Sequence, residues 1–278
     1  MGGGEVRRRL WRSLADYGGL IVLVAILLSP FLWLLQMSLR PEKDIFTFPP
    51  RLLFTPTLEH YVGVWSGQFH RAFGNSTVVS VTSTILSLAL GVPAAYSLSR
   101  AQFGGQSRIA LWVLATRMAP PIAFTIPFFL AYRHLGWLDT LHGLIVIYLT
   151  FNLSLVVWMM RTFFDSIPRV LDEAALVDGA GVWETFYQVI LPLSAPGLAA
   201  TAIFCFLLSW NDFFFALVLT RTRAMTAPVA VVNFMNYEGW QWGRIAAGGT
   251  LVMLPVVVFS LLVRKYMVRG LTAGAVKG

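Results

Sequence analysis

Charged residues are scarce in this chain. They make up 12% of its 278 residues, about half the share that is typical of soluble domains. Hydrophobic residues account for 57% of the chain, and its mean hydropathy is +0.69. The composition therefore excludes an ordinary soluble domain and indicates a membrane protein with several spans. The net charge of +8 does not indicate a nucleic-acid partner, because the basic residues lie mainly beside apolar runs and form no single basic face.

Cysteine and the signatures of catalysis are also nearly absent. The single cysteine, Cys205, lies in an apolar run, which excludes an intrachain disulfide and a thiolate metal cluster and predicts a buried, inert thiol. The four histidines show no HExxH spacing, and neither a phosphate-binding loop nor a GxSxG nucleophile motif occurs. The sequence therefore predicts no catalytic residue, no metal site and no ATP site on this chain.

Six apolar runs predict six membrane-spanning helices and an all-α fold. The first run follows a basic segment, but it is longer than the core of a signal peptide and no cleavage site follows, so we interpret it as a retained helix. The third run contains Pro120, Pro121 and Pro127, which predict a kinked or broken helix. The runs cover residues 18–36, 76–98, 109–132, 141–160, 197–220 and 245–263.

The distribution of basic residues predicts the orientation of these spans. Six spans place both termini on one face, which then carries Arg7, Arg8, Arg9, Arg12, Arg100, Arg108, Arg161, Arg169, Arg264, Lys265, Arg269 and Lys277. The opposite face carries fewer basic residues, namely Arg40, Lys43, Arg51, Arg71, Arg133, Arg221, Arg223 and Arg244. Because Lys and Arg near span ends favour the cytoplasm, the N and C termini are predicted to be cytoplasmic. The predicted organisation is a cytoplasmic segment (1–17), a transmembrane domain (18–264) and a cytoplasmic tail (265–278).

A polar segment bracketed by prolines, residues 165–196, separates the fourth and fifth runs. Ser166 is suited to cap a helix from Pro168 to Asp178, and Gly179 supplies the left-handed residue that commonly follows a helix. A second helix is predicted over residues 182–191, ending at Pro192, and Ser194 with Pro196 begins the next span. The segment is therefore predicted to be a helix, a tight turn and a second helix.

The residues of this segment fit a family pattern. Glu173-Ala174-Ala175, Asp178-Gly179-Ala180, Phe186, Ile190, Leu191-Pro192-Leu193 and Pro196-Gly197 resemble the cytoplasmic EAA loop of binding-protein-dependent ABC importer permeases. Trp210-Asn211-Asp212, Phe48-Pro49-Pro50 and the tail from Gly270 to Gly278 resemble the carbohydrate branch, notably the maltose-type second permease. One departure is Asp212, where relatives commonly carry Glu.

The resemblance implies an ABC type I importer permease fold and a set of partners. The chain would pair with a second permease, an ATPase dimer that binds ATP and Mg, and an extracytoplasmic solute-binding protein, in the cytoplasmic membrane of a bacterium or archaeon. The substrate would be a sugar or polyol. Contact with the ATPase is implied for Glu173, Ala174, Ala175, Asp178, Gly179, Ala180 and Pro192, and for Gly270, Thr272 and Lys277 in the tail.

Four residues are candidates for the translocation path: Arg117, Trp210, Asn211 and Asp212. An ionised group in an apolar span costs about 2.5–3.5 kcal/mol unless it is paired or hydrated, so these side chains are expected to face the bundle interior. A structural interpretation stays open, in which Arg117 snorkels or pairs with another subunit and the other polar residues cap or join helices.

Three other functions are alternatives to sugar import. The same family includes permeases for glycerol phosphate and for other small solutes. An ATP-independent secondary transporter would need an ion site and two related halves, and the sequence shows neither. A membrane enzyme would need a convergent set of catalytic residues, which the sequence does not show.

The stretch from Met235 to Gly243 is rich in aromatic residues. It is predicted to anchor at the membrane interface, with contact to a binding protein as the alternative.

Overall fold

The computed structural model describes residues 3–49, 53–101, 104–118, 120–236 and 239–275, with side chains from residue 17 to residue 262 apart from that of Asn236. Nearly all of the regular structure is helical. The helices are α1 (Gly3–Ser38), α2 (Glu42–Ile45), α3 (Glu59–Val64), α4 (His70–Arg100), α5 (Gln106–Met118), α6 (Thr125–Leu135), α7 (Leu141–Ser166), α8 (Val170–Val177), α9 (Val182–Thr185), α10 (Leu191–Leu193), α11 (Ala195–Trp210), α12 (Phe214–Leu219), α13 (Ala227–Val232) and α14 (Trp242–Ala275).

Four of the described helical stretches are long and apolar enough to cross a membrane, and two bent helix pairs raise the number to as many as six. The four are Tyr17–Ser38, Glu59–Arg100, Leu141–Ser166 and Trp242–Leu262. The predicted break in the third run is confirmed, because α5 ends at Met118 and a 3-10 turn, Pro121–Phe124, precedes α6. The second bent pair joins Val182–Leu193 to α11 at 78°.

One compact unit contains residues 68–232 together with residues 252–278, and its centre is formed by α4, α7 and α11. Gly91 lets α4 approach α7 closely, since a Cβ at this position would lie 2.7 Å from Cγ1 of Val156. Cys205 is fully buried in the same packing, as the sequence predicted. These three helices form the frame on which both ends of the unit are built.

Buried hydroxyl and amide groups join the three central helices. Asn152 donates from Nδ2 to Oγ of Ser209 at 2.8 Å, and the Oγ atoms of Ser83 and Ser209 lie 3.1 Å apart. Within α4 itself, Ser87 donates to the carbonyl of Ser83 at 2.6 Å. Small hydroxylated residues allow close helix packing in lipid and add hydrogen bonds between helices. The abundance of Ser and Thr in the second apolar run is explained by this packing.

The other compact unit contains residues 1–67 and 233–251. Within it, Ser38 and Tyr61 share a hydrogen bond of 2.7 Å, and Nε2 of His60 lies 2.8 Å from the carbonyl oxygen of Arg40. A two-stranded antiparallel hairpin, β1 (Met235–Asn236) and β2 (Gly239–Trp240), precedes α14. This hairpin is an addition to the all-α fold that the sequence predicts.

Two local predictions about the polar segment were wrong. Ser166 does not cap α8, because it ends α7 and donates its hydroxyl to the carbonyl of Phe163 at 2.6 Å. The second helix does not end before Pro192 either. A π-helical turn, Phe186–Ile190, leads into α10, where Pro192 occupies the first turn and a missing backbone N–H is tolerated. The break falls instead at Ser194.

Candidate functional site

The short helix α8 is shaped by the turn that follows it. Gly179 has φ +91°, which side chains other than glycine rarely adopt. The N–H of Ala180 donates to the carbonyl of Ala175 at 3.0 Å, and the N–H of Gly179 donates to that of Leu176 at 3.1 Å. These two bonds form a Schellman motif, which ends the helix abruptly. The predicted turn at Gly179 is therefore confirmed.

One side of this element faces outward. Glu173, Ala174, Asp178 and Gly179 are exposed, whereas Ala175 is buried and Ala180 is half-buried. Val177 is 86% exposed, which is unfavourable for an apolar side chain outside lipid and is typical of a surface that a partner covers. We call the segment from Val170 to Leu193 the docking element. Its exposed surface combines three acids, Glu173, Asp178 and Glu184, with small and apolar side chains.

The inward side of α8 is bound to the end of α4 by Asp172, an acid that is not among the predicted site residues. Its carboxylate lies 3.0 Å from Nε of Arg100 and accepts a hydrogen bond of 3.0 Å from the Tyr96 hydroxyl. The side chains of Arg100 and Asp172 are only 13% and 15% exposed. The Arg100–Asp172 contact is an ion pair whose atoms are not aligned as a hydrogen bond. It ties the docking element to α4.

Further contacts join the same two regions. Ser99 donates its hydroxyl to Asp165 at 2.5 Å, and Arg169 donates to the carbonyl of Ser99 at 3.1 Å. Arg100 donates to the carbonyl of Ile167 at 3.0 Å. We call the group of Tyr96, Ser99, Arg100, Asp165, Arg169 and Asp172 the α4 clasp. A signal for it was present in the sequence, namely basic and acidic residues at neighbouring span ends on one predicted face.

Two apolar side chains hold the rest of the docking element. Phe186 is 1% exposed, its ring centre lies 4.7 Å from that of Tyr96, and Ile190 is fully buried beside it. The π-helical turn places both side chains in the core shared with α4, α7 and α11. Gly197 lets α11 approach α7, since the Phe163 ring occupies the space of a Cβ at that position. Phe186 and Ile190 therefore fix the docking element to the core, while Pro192 stays exposed.

Two of the four candidates for the translocation path line one cavity of about 230 Å³. Tyr148 and Asn152 line the same cavity as Arg117 and Asp212. The Tyr148 hydroxyl donates to Asp212 at 2.8 Å. Neither Tyr148 nor Asn152 was singled out from the sequence, because each is one polar residue in an apolar run. The cavity offers a cation, an acid, an amide and two hydroxyls, those of Tyr148 and Ser209, within an otherwise apolar wall.

The other two candidates lie elsewhere. Trp210 is 1% exposed, stacks on Phe206 and donates from Nε1 to the carbonyl of Val252 at 3.0 Å. Asn211 is exposed and donates from its amide to the carbonyl of Leu207 in its own helix at 2.9 Å. Their contacts here are packing for Trp210 and local capping for Asn211.

The predicted contacts of the C-terminal tail are only partly within the structure. Gly270 and Thr272 lie in the last turns of α14, and Lys277 lies outside the described residues. Among the residues that the structure describes, no group of three or more His, Cys, Asp or Glu side chains is arranged to hold a metal ion. Of the predicted site residues that the structure describes, most therefore belong to the docking element or to the cavity.

These features define a class: a helical membrane protein of several spans whose core rigidly holds an exposed helical element. Comparison with known proteins agrees. The family model described as "Binding-protein-dependent transport system inner membrane component" matches residues 62–272, and the chain belongs to this family.

Similar proteins include two permeases of sugar transport systems. The trehalose transport system permease protein SugB of Mycobacterium tuberculosis is 39% identical, over 92% of this chain and 95% of that protein. The trehalose/maltose transport system permease protein MalG of Thermococcus litoralis is 37% identical, over 94% and 95%. A chain in the crystal structure of a bacterial ABC transporter involved in alginate import has a similar fold, with a TM-score of 0.77 and 24% identity over 94% of this chain and 98% of that chain.

Proposed function

We propose that this chain is the membrane permease subunit of an ATP-driven importer for a sugar, either an oligosaccharide, a disaccharide or a polyol. The observation that carries the proposal is the docking element, whose outward side is free while its inward side is fixed to α4 and to the core. Transport of trehalose and maltose by the similar permeases supports a sugar as the substrate. Catalysis of ATP hydrolysis is assigned to a separate subunit.

The proposed complex follows from the family and from the charge pattern. Six spans would place both termini and the docking element in the cytoplasm, in the cytoplasmic membrane of a bacterium or archaeon. A second permease would complete the channel, an ATPase dimer would bind ATP and Mg, and a solute-binding protein would deliver the sugar from outside. Gly270, Thr272 and Lys277 would add a contact between the tail and the ATPase.

Coupling in this proposal is mechanical. Closure of the ATPase dimer would move the docking element, through Glu173, Ala174, Asp178 and Gly179, as one rigid body. Because Asp172 and Phe186 bind this element to α4, α7 and α11, the three central helices would move with it. The channel would then alternate between facing the cytoplasm and facing the binding protein.

The cavity that Arg117 and Asp212 line is the proposed part of the translocation path. Charged and amide groups hydrogen-bond sugar hydroxyls, and Phe151 and Phe215 in the same lining offer apolar faces to sugar rings. The substitutions Tyr148→Phe and Asp212→Asn should change the uptake rate or the order of substrate preference without affecting assembly. Unchanged uptake kinetics in both variants would remove the cavity from the path.

The docking proposal is tested by replacing Glu173 with alanine in the reconstituted transporter. The side chain is exposed, so the fold should be unaffected, while sugar uptake per ATP hydrolysed should fall because a contact to the ATPase is lost. Glu59→Ala removes an exposed glutamate of α3 and serves as the control. Normal assembly with fully coupled uptake in the Glu173→Ala variant would contradict the assignment.

A further inference from the structure

A second pocket lies at the start of α4, at the end opposite the α4 clasp. It has a volume of about 230 Å³ and is lined by Gln68, Arg71, Ala72, Thr222, Arg223 and Met225. Ala72 and Met225 are buried and form its apolar floor, whereas the two arginines are exposed. The pocket therefore presents two guanidinium groups beside an amide and a hydroxyl.

The loop that carries Arg223 is held from one side by Asp139. The Asp139 carboxylate accepts hydrogen bonds from four successive backbone N–H groups, those of residues 221–224, at distances of 2.9–3.2 Å. Burial alone would raise the pKa of this carboxyl, but the hydrogen bonds from Arg221, Ala224, Arg223 and Thr222 outweigh it and hold the pKa well below its usual value. Asp139 is thus a fixed anion that orders the loop.

The same loop is held from the other side by α4. Nδ2 of Asn75 donates to the carbonyls of Arg223 and Met225, both at 2.9 Å, and the N–H of Ala227 donates to Oγ of Ser76 at 2.8 Å. The backbone of Arg223 is therefore fixed relative to Arg71, which lies one helical turn before Asn75. A pocket ordered in this way needs little rearrangement to bind a ligand.

The charge of the pocket is not neutralised within the described part of the chain. Neither Arg71 nor Arg223 forms an ion pair there, and the acid that orders the loop, Asp139, accepts from backbone N–H groups and from the Thr222 hydroxyl instead. Arginine presents its N–H donors in a planar fork that matches a carboxylate. The pocket is therefore built for an anionic group supplied by another molecule.

We propose that this pocket receives the carboxylate of an acidic side chain on the extracytoplasmic solute-binding protein. The proposal rests on the proposed function. Helix α4 has 31 residues and is about 46 Å long, so its two ends lie on opposite sides of a bilayer whose core is about 30 Å thick. If the α4 clasp faces the cytoplasm, the pocket faces the compartment in which the binding protein operates.

A protein carboxylate fits the pocket better than a lipid headgroup does. The arginines surround a recess with a buried floor, which suits a short side chain that projects from a surface. An anionic lipid held only by surface charge needs no such recess, because a basic patch near the headgroups is sufficient. Binding of lipid phosphate is kept as an outcome of the test.

The experiment uses the complete transporter in nanodiscs of neutral lipid, with the solute-binding protein that purifies with it. Arg71→Ala and Arg223→Ala should each weaken binding of that protein by about tenfold, and Arg223→Glu by more, with basal ATP hydrolysis unchanged. The matched control is Arg133→Ala, since Arg133 is an exposed arginine at the end of α6 outside this pocket. Replacement of an acid on the binding protein by arginine should restore binding to the Arg223→Glu variant.

The outcomes separate this inference from the proposed function. If the binding protein fails to stimulate ATP hydrolysis by the wild-type transporter, the proposed function itself is contradicted. If it stimulates the wild type and the pocket variants bind it as tightly as Arg133→Ala does, the inference is overturned. A second set of nanodiscs that contains an anionic phospholipid tests the lipid alternative. The inference is also overturned if the variants bind the binding protein normally and lose only a stimulation of activity that this anionic lipid gives the wild type.

Discussion

Each end of the unit built on α4, α7 and α11 has a polar segment that an aspartate holds in place. The two aspartates differ in the kind of partner that they bind. At the docking end, Asp172 binds side chains of another helix, Arg100 and Tyr96. At the opposite end, Asp139 accepts hydrogen bonds from the backbone N–H groups of residues 221–224 and from the Thr222 hydroxyl, which all belong to one loop. An ion pair between side chains that are far apart in the sequence links the movements of two elements. A carboxylate whose partners all lie in one loop fixes the shape of that loop. The difference agrees with the proposals that the docking end transmits movement and that the opposite end holds a pocket of fixed shape.

The largest effect is expected from Asp172→Ala. Removal of one partner of a poorly exposed ion pair leaves Arg100 uncompensated, which costs about 3 kcal/mol, the lower part of the range for buried pairs, because both groups keep some exposure. Hydrogen exchange of residues 170–177 should accelerate, and uptake should uncouple from ATP hydrolysis. These two measurements check the role of the α4 clasp.

The control for this substitution is the neighbouring acid. Glu173→Ala changes an exposed side chain and should leave hydrogen exchange of α8 unchanged, with a free-energy effect within about 0.5 kcal/mol. A double-mutant cycle of Arg100→Ala with Asp172→Ala isolates the pairwise interaction. Equal exchange rates in the Asp172→Ala and Glu173→Ala variants would show that the ion pair does not hold the docking element.

A smaller effect is expected from Asp139→Asn at the opposite end. Asparagine tolerates the φ of +55° found at this position but lacks the charge, so the loop should lose about 1–2 kcal/mol of local stability. Protease cleavage near residues 221–224, or hydrogen exchange of their amides, measures this loss. Binding of the solute-binding protein should weaken as well, because Arg223 is no longer held in place.

The pH dependence of this loop follows from the depressed pKa of Asp139. A carboxyl whose pKa is lower in the folded protein stabilises the fold above its unfolded pKa of about 4, and this contribution is lost as the pH falls through the lower folded value. The wild-type loop should therefore open only in strong acid, while the Asp139→Asn loop should show no such transition. If the protection of these amides, after correction for the intrinsic pH dependence of exchange, stayed constant down to the acid unfolding of the protein, the assignment would be contradicted.

The sequence predicted those parts of the fold that depend on neighbouring residues. The turn at Gly179 and the break at Pro120 and Pro121 reflect local backbone preferences, and both were found. The pairing of Asp172 with Tyr96 joins residues 76 positions apart, and it depends on how α4 packs against the docking element. No local pattern contains that information.

Other features escaped prediction for a related reason. The π-helical turn at Phe186–Ile190 directs two side chains into a core that exists only once three distant helices have assembled. Asp139 adopts a left-handed conformation because a distant loop supplies N–H groups to its carboxylate. In the sequence, that residue is one acid in a short connection, without a partner that spacing could identify.

The smallest effect, and the most direct test of rigidity at the docking end, comes from two glycines in one turn. Gly179 has a φ of +91°, whereas Gly181 has a φ of −74°, and an added Cβ would meet no atom within 4 Å at either position. Gly179→Ala should therefore destabilise the turn by about 1 kcal/mol, and Gly181→Ala should not. The backbone conformation is the only difference that this pair tests.

The effect of these two substitutions on transport shows whether the docking element moves as a rigid body or as a flexible segment. If the docking element transmits movement as one body, Gly179→Ala should lower sugar uptake per ATP hydrolysed, Gly181→Ala should match the wild type, and Gly179→Asn should recover part of the loss because asparagine tolerates a positive φ. Uptake per ATP and hydrogen exchange of residues 170–177, measured on the same reconstituted samples, check both steps. Full coupling in the Gly179→Ala variant despite a measurably loosened turn would mean that the clasp at Asp172, and not the turn, carries the movement.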